Sequence, residues 1–300
     1  MIPDYDSCRL CARDCGAERT HNRAGRCGMT SRIVAARAAL HMWEEPCLSG
    51  KEGSGAVFFS GCPLGCLFCQ NRPIALGHDG QEVTEERLTE ILLELQAQGA
   101  NNINYVTPTH YVPTIIAVTA KARRRGLTIP IVYNTAAYEK RETILALEGT
   151  VDIYLPDYKY DDPVLADRLC RAPDYPETAR AAIEAMVHQA GPPVFDERGM
   201  LRRGVIVRHL ILPGHTKDAI RILDYLNKTY GDDILISLMN QYTPMPGIEA
   251  AAPDLSRRVT KREYRRVLQA ALDRGMENIY YQEGKTADES FIPAFDGKGL

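Results

Sequence analysis

The sequence has no long hydrophobic run, and this absence limits the classes of protein to which it can belong. No segment approaches the about 18 apolar residues that a membrane-spanning helix needs. The first ten residues, MIPDYDSCRL, lack the apolar core of a secretory signal. We therefore expect a cytoplasmic protein that does not associate with membranes.

The sequence also lacks an excess of charge of either sign. Its 36 Lys and Arg residues nearly balance 39 Asp and Glu residues, so the formal net charge over 300 residues is −3. A nucleic-acid-binding domain usually carries a strongly basic face. We therefore expect no nucleic-acid partner. The proportions of hydrophobic residues (45%) and charged residues (25%) are typical of a globular protein with one large or two ordinary domains.

Cysteine is almost absent from most of the chain but concentrated at its beginning. Eight of the nine cysteines lie within the first 69 residues, and the ninth is Cys170. In a cytoplasmic chain of this size, such a concentration indicates metal binding or redox chemistry rather than disulfides. Cys170 follows a helix-like stretch, and we interpret it as a buried small side chain.

From residue 56 onwards, apolar strand-like segments alternate with segments of helical periodicity. This alternation predicts βαβ units and a parallel sheet, and the nearly continuous apolar runs indicate strands covered on both faces. Segment 32–40 is compatible with a strand or a short helix. An α/β fold with a complete or partial barrel suits the number of units better than a small doubly wound sheet, which the spacing leaves open. The predicted strands are 56–60, 102–108, 129–135, 151–159, 204–214, 233–241 and 278–284.

Polar side chains lie at or just beyond the carboxyl ends of several of these strands, and Arg208 lies within the fifth. In a parallel α/β barrel, functional groups gather at the carboxyl ends of the strands. We therefore expect these side chains to meet at one mouth, although a lone His110 is equally compatible with a structural role. They are Thr107, Thr109, His110, Asn134, Thr135, Asp157, Lys159, Arg208, Asn240, Gln241 and Tyr242.

The loop GCPLGCLFCQN, residues 61–71, places three cysteines after the first of these strands. A closed structural zinc site takes four ligands, whereas an iron–sulfur cube held by three thiolates keeps one iron open to a substrate. The loop glycines allow close wrapping around a bulky cluster. A zinc site completed by a distant histidine and three unligated thiols are the alternatives, and we favour the cluster.

The Cys62-x3-Cys66-x-Phe68-Cys69 motif resembles the signature of the radical S-adenosylmethionine (SAM) superfamily. The flanking segments are similar to pyruvate formate-lyase activating enzyme-like proteins, and this similarity extends over essentially the whole chain. The quoted segments are RLCARDCGAERTHNRAGRCG, HMWEEPCLSGKEGSGAVFFSGCPLGCLFCQN, NINYVTPTHYVP, IVYNTAAYE, DIYLPDYKY and VRHLILPG.

The resemblance implies a partial (β/α)6 barrel, which we place over residues 51–300. The cysteines before it lead us to expect a metal-binding N-terminal segment over residues 1–50. It implies a [4Fe-4S] cluster held by Cys62, Cys66 and Cys69, with SAM bound to the open iron through its amino and carboxylate groups. An oxidoreductase of this kind cleaves SAM to methionine and a 5′-deoxyadenosyl radical, which takes a hydrogen atom from the substrate. Reduced flavodoxin or ferredoxin would donate the electron, and a glycyl radical enzyme is the implied protein partner.

The resemblance also suggests which residues bind SAM. Asp157-x-Lys159 resembles an element of activating enzymes in which the lysine neutralises the SAM carboxylate; an ordinary surface ion pair is the alternative. Arg208 resembles an arginine that contacts SAM, with a structural ion pair as the alternative. The remaining predicted cofactor-binding residues are Phe68, Thr107, Thr109, Asn134, Thr135, Asn240 and Gln241.

Two of these positions depart from the family pattern. The segment TPTH (107–110) stands where many members have Gly-Gly-Glu-Pro, and its threonines still offer oxygens to an ammonium group. Asn134-Thr135 stands where the activating enzyme has an Asp-Thr pair that helps bind a monovalent cation. Asparagine removes the negative charge on which that cation depends.

The N-terminal segment carries a second cysteine pattern, Cys8-x2-Cys11-x3-Cys15-x11-Cys27. Four soft ligands suit zinc or a second iron–sulfur cluster, and both alternatives remain open. A metal would supply folding energy that this segment, which is poor in aliphatic residues, cannot obtain from a core. His21 and Cys47 are further candidate ligands.

Three functions are compatible with the sequence. The first is activation of a glycyl radical enzyme, which predicts a mouth open to a protein loop. The second is radical SAM modification of a small molecule, a peptide or RNA, which predicts a mouth narrowed by the N-terminal segment. The third is a non-catalytic, zinc-stabilised binding module, which predicts that SAM does not bind.

Overall fold

A sheet of ten strands forms the centre of the molecule. The computed structural model describes residues 4–282 and 294–300. The strands are β1 (Ile33–His41), β2 (Ser54–Phe59), β3 (Gln81–Val83), β4 (Ile103–Val106), β5 (Ile131–Thr135), β6 (Ile153–Pro156), β7 (Val194–Phe195), β8 (Leu201–Leu210), β9 (Leu235–Met239) and β10 (Ile279–Tyr281). The helices are α1 (Pro46–Ser49), α2 (Arg72–Ala75), α3 (Glu85–Ala97), α4 (Val112–Arg124), α5 (Arg141–Leu145), α6 (Pro163–Cys170), α7 (Tyr175–Ala190), α8 (Thr216–Tyr230), α9 (Ile248–Ala251) and α10 (Lys261–Leu272).

Seven of these strands are parallel, in the order β2-β4-β5-β6-β8-β9-β10. β1 is antiparallel to β2, β3 is antiparallel to β1, and β7 pairs with β8. Helices connect most of the parallel strands, as right-handed βαβ crossovers require. The predicted α/β partial barrel is therefore confirmed, and its predicted seventh strand corresponds to β10. Residues 283 and 284 of that predicted segment lie outside the described residues.

Local sequence explains the clearest helices. The Thr84 side chain caps α3 by accepting a hydrogen bond from the backbone N–H of Arg87. The apolar side of this helix, spaced at three and four residues, is buried against the sheet. α10 begins with a capping box formed by Thr260 and Glu263. None of the helices in the described part of the chain is long and apolar enough to cross a membrane.

The short helix α1 closes the barrel at the amino ends of the parallel strands. Asn101 and Asn102, just before β4, donate hydrogen bonds to the carbonyls of Ser49 (2.7 Å) and Leu48 (2.9 Å). Leu48 packs among inward-facing apolar residues of β5, β6, β8 and β9. The polypeptide from β1 to α1 therefore passes under the barrel, and residues just before α1 lie at the base of its interior.

Residues 4–32 contain little regular structure apart from a 3-10 turn at Arg19–His21. They pack against the loop after β5, where Cys11 forms an isolated β-bridge with Glu139. Segment 32–40, predicted as a strand or a short helix, is a strand and belongs to the same sheet as the barrel. The domain boundary placed at residue 50 stays a prediction.

Candidate functional site

A cavity of about 440 Å³ lies inside the barrel and extends to the carboxyl ends of its strands. Every one of the seven parallel strands, or the segment that follows it, contributes to its lining. The predicted site residues that line it are Cys62, Cys66, Phe68, Cys69, Thr107, Asn134, Thr135, Asp157, Lys159, Arg208 and Gln241. Tyr242 also lines this cavity, whereas Thr109, His110 and Asn240, which were expected at the same mouth, do not.

The three-cysteine loop follows β2 and turns into the cavity. Gly61, which precedes Cys62, has a φ of +88°, and a Cβ at this position would lie 2.4 Å from the Met29 side chain and 2.8 Å from the Cys27 carbonyl oxygen. Only glycine fits this backbone and this close approach. Phe68 packs against Tyr242, with ring centroids 5.8 Å apart. The loop is thus held between the N-terminal segment and the segment after β9.

The three thiols differ in acidity because their surroundings differ. Burial raises the pKa of Cys62 to about 11 and the pKa of Cys69 to about 12. A hydrogen bond from the Cys170 thiol lowers the pKa of Cys66. The Lys159 ammonium acts to lower the pKa of each of the three thiols, which places a positive charge near all of them. Lys159 therefore favours the thiolate forms that bind metals.

A chain of buried charges lies beside the cysteine loop. Lys159 donates a hydrogen bond to Asp157 (2.6 Å), and the Arg208 guanidinium donates to the other Asp157 oxygen (2.8 Å). Arg208 also donates to Glu44 (3.1 Å) and to the Asn134 side-chain oxygen (2.6 Å). Asp157 and Arg208 face each other across β6 and β8, where they form a bridge. The parallel register therefore brings together residues 51 positions apart in sequence.

These contacts keep Asp157 and Lys159 charged. Burial alone would raise the pKa of Asp157, but the adjacent Arg208 and Lys159 cations lower it below its ordinary value. Burial alone would lower the pKa of Lys159, but Asp157 and Cys66 raise it above its ordinary value. Each charge is thus stabilised by its neighbours, as buried ions require.

Glu44 and Glu45 also line the cavity, and the sequence interpretation did not include them. Both precede α1 and enter the barrel interior from its base. Glu44 binds Arg208 and accepts a hydrogen bond from Asn104 (3.0 Å), whereas one oxygen of Glu45 has no hydrogen-bond partner in the described residues. Burial raises the pKa of both carboxyl groups. The sequence signal that could have identified them is the pair of adjacent acidic residues before a proline in HMWEEP.

Comparison with known families identifies the superfamily to which the chain belongs. The family model described as "Radical SAM superfamily" matches residues 56–226, which include the cysteine loop, Asp157, Lys159 and Arg208. The chain belongs to the radical SAM superfamily. The superfamily implies a [4Fe-4S] cluster and SAM, and it supports an enzymatic role.

Several proteins resemble this radical SAM chain. The uncharacterized protein MJ0674 of Methanocaldococcus jannaschii is 26% identical over 285 residues, covering 92% of this chain and 77% of MJ0674. A domain of pyruvate-formate lyase-activating enzyme from Bacteroides vulgatus matches 61% of this chain and all of that domain, with 13% identity and a TM-score of 0.45. Streptococcus suis SuiB, solved with its precursor peptide SuiA, matches 75% of this chain and 47% of SuiB, with 14% identity and a TM-score of 0.47.

The donor set of the radical SAM loop fits an iron–sulfur cube. Three thiols face one cavity, and a thiolate from each cysteine binds a different iron, so the sulfurs need not converge on one point. Within residues 4–282 and 294–300, no three His, Cys, Asp or Glu side chains are spaced to hold a single metal ion.

Some predicted residues lie outside the cavity of this radical SAM protein. Thr109 is buried and donates a hydrogen bond to Glu139 (2.5 Å), so its hydroxyl faces away from the cavity. Asn240 is not among the lining residues, and its backbone N–H donates to the Gln282 side chain (2.9 Å). The ring of His110 is buried against the Ser60 carbonyl, with 2.7 Å between Nε2 and the oxygen. These positions favour structural roles for Thr109 and His110.

Thr107 keeps its predicted position at the cavity, but with an unusual backbone. Its φ is +58°, in the left-handed region that β-branched residues rarely adopt. A backbone hydrogen bond from Thr107 to the Asn134 carbonyl (2.9 Å) helps to hold it there. Such strain persists where the surroundings fix the conformation, and here it turns the chain at the carboxyl end of β4.

The N-terminal cysteines form a separate group. Cys8, Cys11, Cys15 and Cys27 lie outside the cavity, whereas the further candidate Cys47 is buried in α1, beside Tyr280. Burial and the neighbouring thiols raise the pKa of Cys11 to about 12. The metal predicted for these four cysteines stays a prediction at this point.

Proposed function

We propose that this protein is a radical SAM enzyme in which Cys62, Cys66 and Cys69 hold a [4Fe-4S] cluster with SAM on its open iron. When bound and reduced, this group would supply a 5′-deoxyadenosyl radical that abstracts a hydrogen atom from the substrate. The observation that carries the proposal is the shared cavity: the three thiols and the Lys159–Asp157–Arg208 cluster line the same 440 Å³ space.

The buried charges would serve SAM binding. Lys159 and Arg208 supply the positive charge that a SAM carboxylate needs, and Asp157 holds both cations in place. Glu44 and Glu45 supply negative charge that suits the ammonium and sulfonium groups of SAM. The electrostatic interactions of these fixed charges with SAM are strengthened because the charged side chains are largely buried from water.

An external one-electron donor is part of the proposal because the cleavage of SAM is reductive. Reduced flavodoxin or ferredoxin is the donor that we propose, as the family resemblance implies. The protein's own contribution is to keep the reacting atoms apart from water and oxygen, and the packed Phe68 and Tyr242 rings cover the cluster loop for this purpose.

For the substrate, activation of a glycyl radical enzyme is our first candidate. Trp43 and Tyr281 line the cavity and remain 61% and 47% exposed, so two aromatic side chains of the cavity lining reach the surface of the protein. Aromatic residues are enriched at protein interfaces. Modification of a small molecule, a peptide or RNA is the second candidate, and the segment from His41 to Pro46 contributes to the lining of the cavity. Superfamily membership argues against the non-catalytic module.

The test is anaerobic reconstitution with iron and sulfide, followed by dithionite, SAM and an assay for 5′-deoxyadenosine. We expect the wild-type chain and Cys47→Ala to form 5′-deoxyadenosine and Cys66→Ala to form none. Equal product from Cys66→Ala would contradict the cluster assignment. Electron paramagnetic resonance after addition of a glycyl radical enzyme then tests the first substrate candidate through the doublet of a glycyl radical.

A further inference from the structure

We infer that Cys8, Cys11, Cys15 and Cys27 hold a second metal centre, separate from the radical cluster, whose negative charge is balanced by the buried Arg19. We further infer that this centre supports the three-cysteine loop of the active site. The inference goes beyond the proposed function and stands on the N-terminal residues themselves.

The four thiols are brought together by tight turns. The Cys8 backbone pairs with Ala17 and accepts a hydrogen bond from the N–H of Gly16 (3.0 Å). A Cβ on Gly25 would lie 3.4 Å from the Cys27 sulfur and 3.5 Å from the Cys15 sulfur. Gly25 thus leaves the space between these two sulfurs free of a side chain. Cys8 and Cys27 are buried, whereas Cys11 is half-buried and Cys15 is exposed.

Arg19 is the second and independent observation. Its side chain is fully buried and lies over the rings of Tyr5 and Tyr111. The guanidinium donates hydrogen bonds to the carbonyls of Met29, Thr30 and His110, and one nitrogen lies 3.6 Å from the Cys8 sulfur. Among the described residues, these partners include no carboxylate.

A buried guanidinium requires a compensating negative charge because burial of an isolated ion is very costly. Neutral thiols do not provide this charge. Four thiolates around a divalent zinc ion or around an oxidised iron–sulfur cube carry a net negative charge in both cases. The contact between Arg19 and Cys8 therefore indicates that the thiols function as metal-bound thiolates.

Arg13 connects this centre with the active site. It lies between Cys11 and Cys15 in sequence, and its guanidinium donates hydrogen bonds to the carbonyls of Pro63 (2.9 Å) and Leu64 (3.1 Å) in the cluster loop. It also donates to the carbonyls of Cys170 (2.7 Å) and Arg171 at the end of α6. Because this segment has few buried apolar residues, a metal bound to Cys11 and Cys15 would help to hold this arginine in position.

The metal centre is either a zinc ion or an iron–sulfur cluster, and the experiment distinguishes these two identities. The triple variant Cys62→Ala/Cys66→Ala/Cys69→Ala removes the ligands of the radical cluster and leaves the N-terminal thiols. After anaerobic purification and reconstitution with iron and sulfide, zinc and iron are quantified by mass spectrometry. We expect about one zinc or about four irons per chain.

Cys15→Ser in the triple-variant background should release this metal, whereas Cys47→Ser should retain it. Arg19→Met should lower the metal affinity by roughly 10- to 100-fold in competition with a chelator, with partial rescue by Arg19→Lys. A folded triple variant that binds neither metal, shown by circular dichroism, would overturn the inference. So would full metal retention after Cys15→Ser. Because the triple variant lacks the radical site, these results are independent of the proposed reaction.

Discussion

The thiol of Cys170 lies 3.2 Å from the thiol of Cys66, one of the three cluster ligands of the proposed active site. The hydroxyl of Tyr160 lies 3.1 Å from the same Cys170 sulfur, so the three groups form a buried chain of hydrogen bonds. From the sequence, we interpret Cys170 only as a buried small side chain. Its position at the end of α6 instead makes it a hydrogen-bond donor to a cluster ligand.

Replacement of Cys170 should lower the reduction potential of the cluster. A hydrogen bond to a ligand sulfur stabilises the more negative, reduced state, so its loss disfavours reduction. A net hydrogen-bond energy of about 0.5–1.5 kcal/mol corresponds to a shift of roughly 20–60 mV for one electron. We expect Cys170→Ala to show this negative shift in a spectroscopic redox titration. Cys170→Ser keeps a donor and should shift less; an unchanged potential in Cys170→Ala would contradict this role.

The same contact predicts the order in which the thiols react in the metal-free protein. The hydrogen bond from Cys170 lowers the pKa of Cys66, whereas burial raises the pKa of Cys62 and Cys69. Since the thiolate is the nucleophile, Cys66 should be alkylated by iodoacetamide at a lower pH than the other two. Peptide mass spectrometry over a pH series measures this order. Cys170→Ala should move the Cys66 profile to higher pH, and equal profiles for all three thiols would count against the contact.

Removal of the Lys159 charge should weaken SAM binding while the cluster remains. A charge-assisted hydrogen bond contributes about 1.5–3 kcal/mol, so Lys159→Met should raise the SAM dissociation constant roughly 10- to 100-fold. Equilibrium binding to the reconstituted protein, with iron content measured in parallel, checks both parts. The exposed Lys217→Met is the matched control. An unchanged dissociation constant would limit Lys159 to its ion pair with Asp157.

The buried Glu45 carboxyl should make stability dependent on pH. Burial raises its pKa above the ordinary value of 4.5. The neighbouring Glu44 also raises this pKa, and the lowering effect of Arg208 is smaller than the effect of burial. The folded chain therefore binds this proton more tightly than the unfolded chain, so the free energy of unfolding falls as pH rises above that ordinary value.

Glu45→Gln should remove this loss and stabilise the reconstituted protein by about 1–3 kcal/mol at pH 8, with a smaller gain at about pH 5, close to the ordinary pKa. Chemical unfolding at the two pH values measures the difference. Glu197→Gln, at an exposed position, is the control and should change stability little at either pH. A gain that does not grow with pH would show that Glu45 is not the titrating group.

Arg13→Met should loosen the radical cluster without removing the metal that we infer for the N-terminal cysteines. The substitution deletes hydrogen bonds to the Pro63 and Leu64 carbonyls but leaves all seven cysteine ligands in place. We expect chelator to extract the radical-cluster iron faster than from the wild type. Arg9→Met, which removes only an exposed ion pair with Asp14, should behave as the wild type does. Equal extraction rates for Arg13→Met and the wild type would show that Arg13 does not stabilise the radical cluster.

The amino-acid sequence by itself determined the class of fold and the centre of the site. Alternating apolar and amphipathic segments predict a parallel α/β sheet because periodicity reports which faces are buried. The cysteine loop identified the superfamily because its ligand spacing is local: Cys62, Cys66 and Cys69 lie within eight consecutive residues. The apolar runs mark the strands, so Asn134 and Asp157 could be placed at strand ends and Arg208 within a strand.

Only the tertiary structure decided which distant residues meet. Glu44 binds Arg208, 164 positions away, because the segment before α1 passes under the barrel, and no local pattern specifies that path. Cys170 reaches Cys66 because α6 ends beside the cluster loop, and Thr109 turns away from the cavity because Glu139 binds its hydroxyl. Contacts of this kind depend on strand register and on the packing of connecting segments. These are set by the whole core and not by neighbouring residues in sequence.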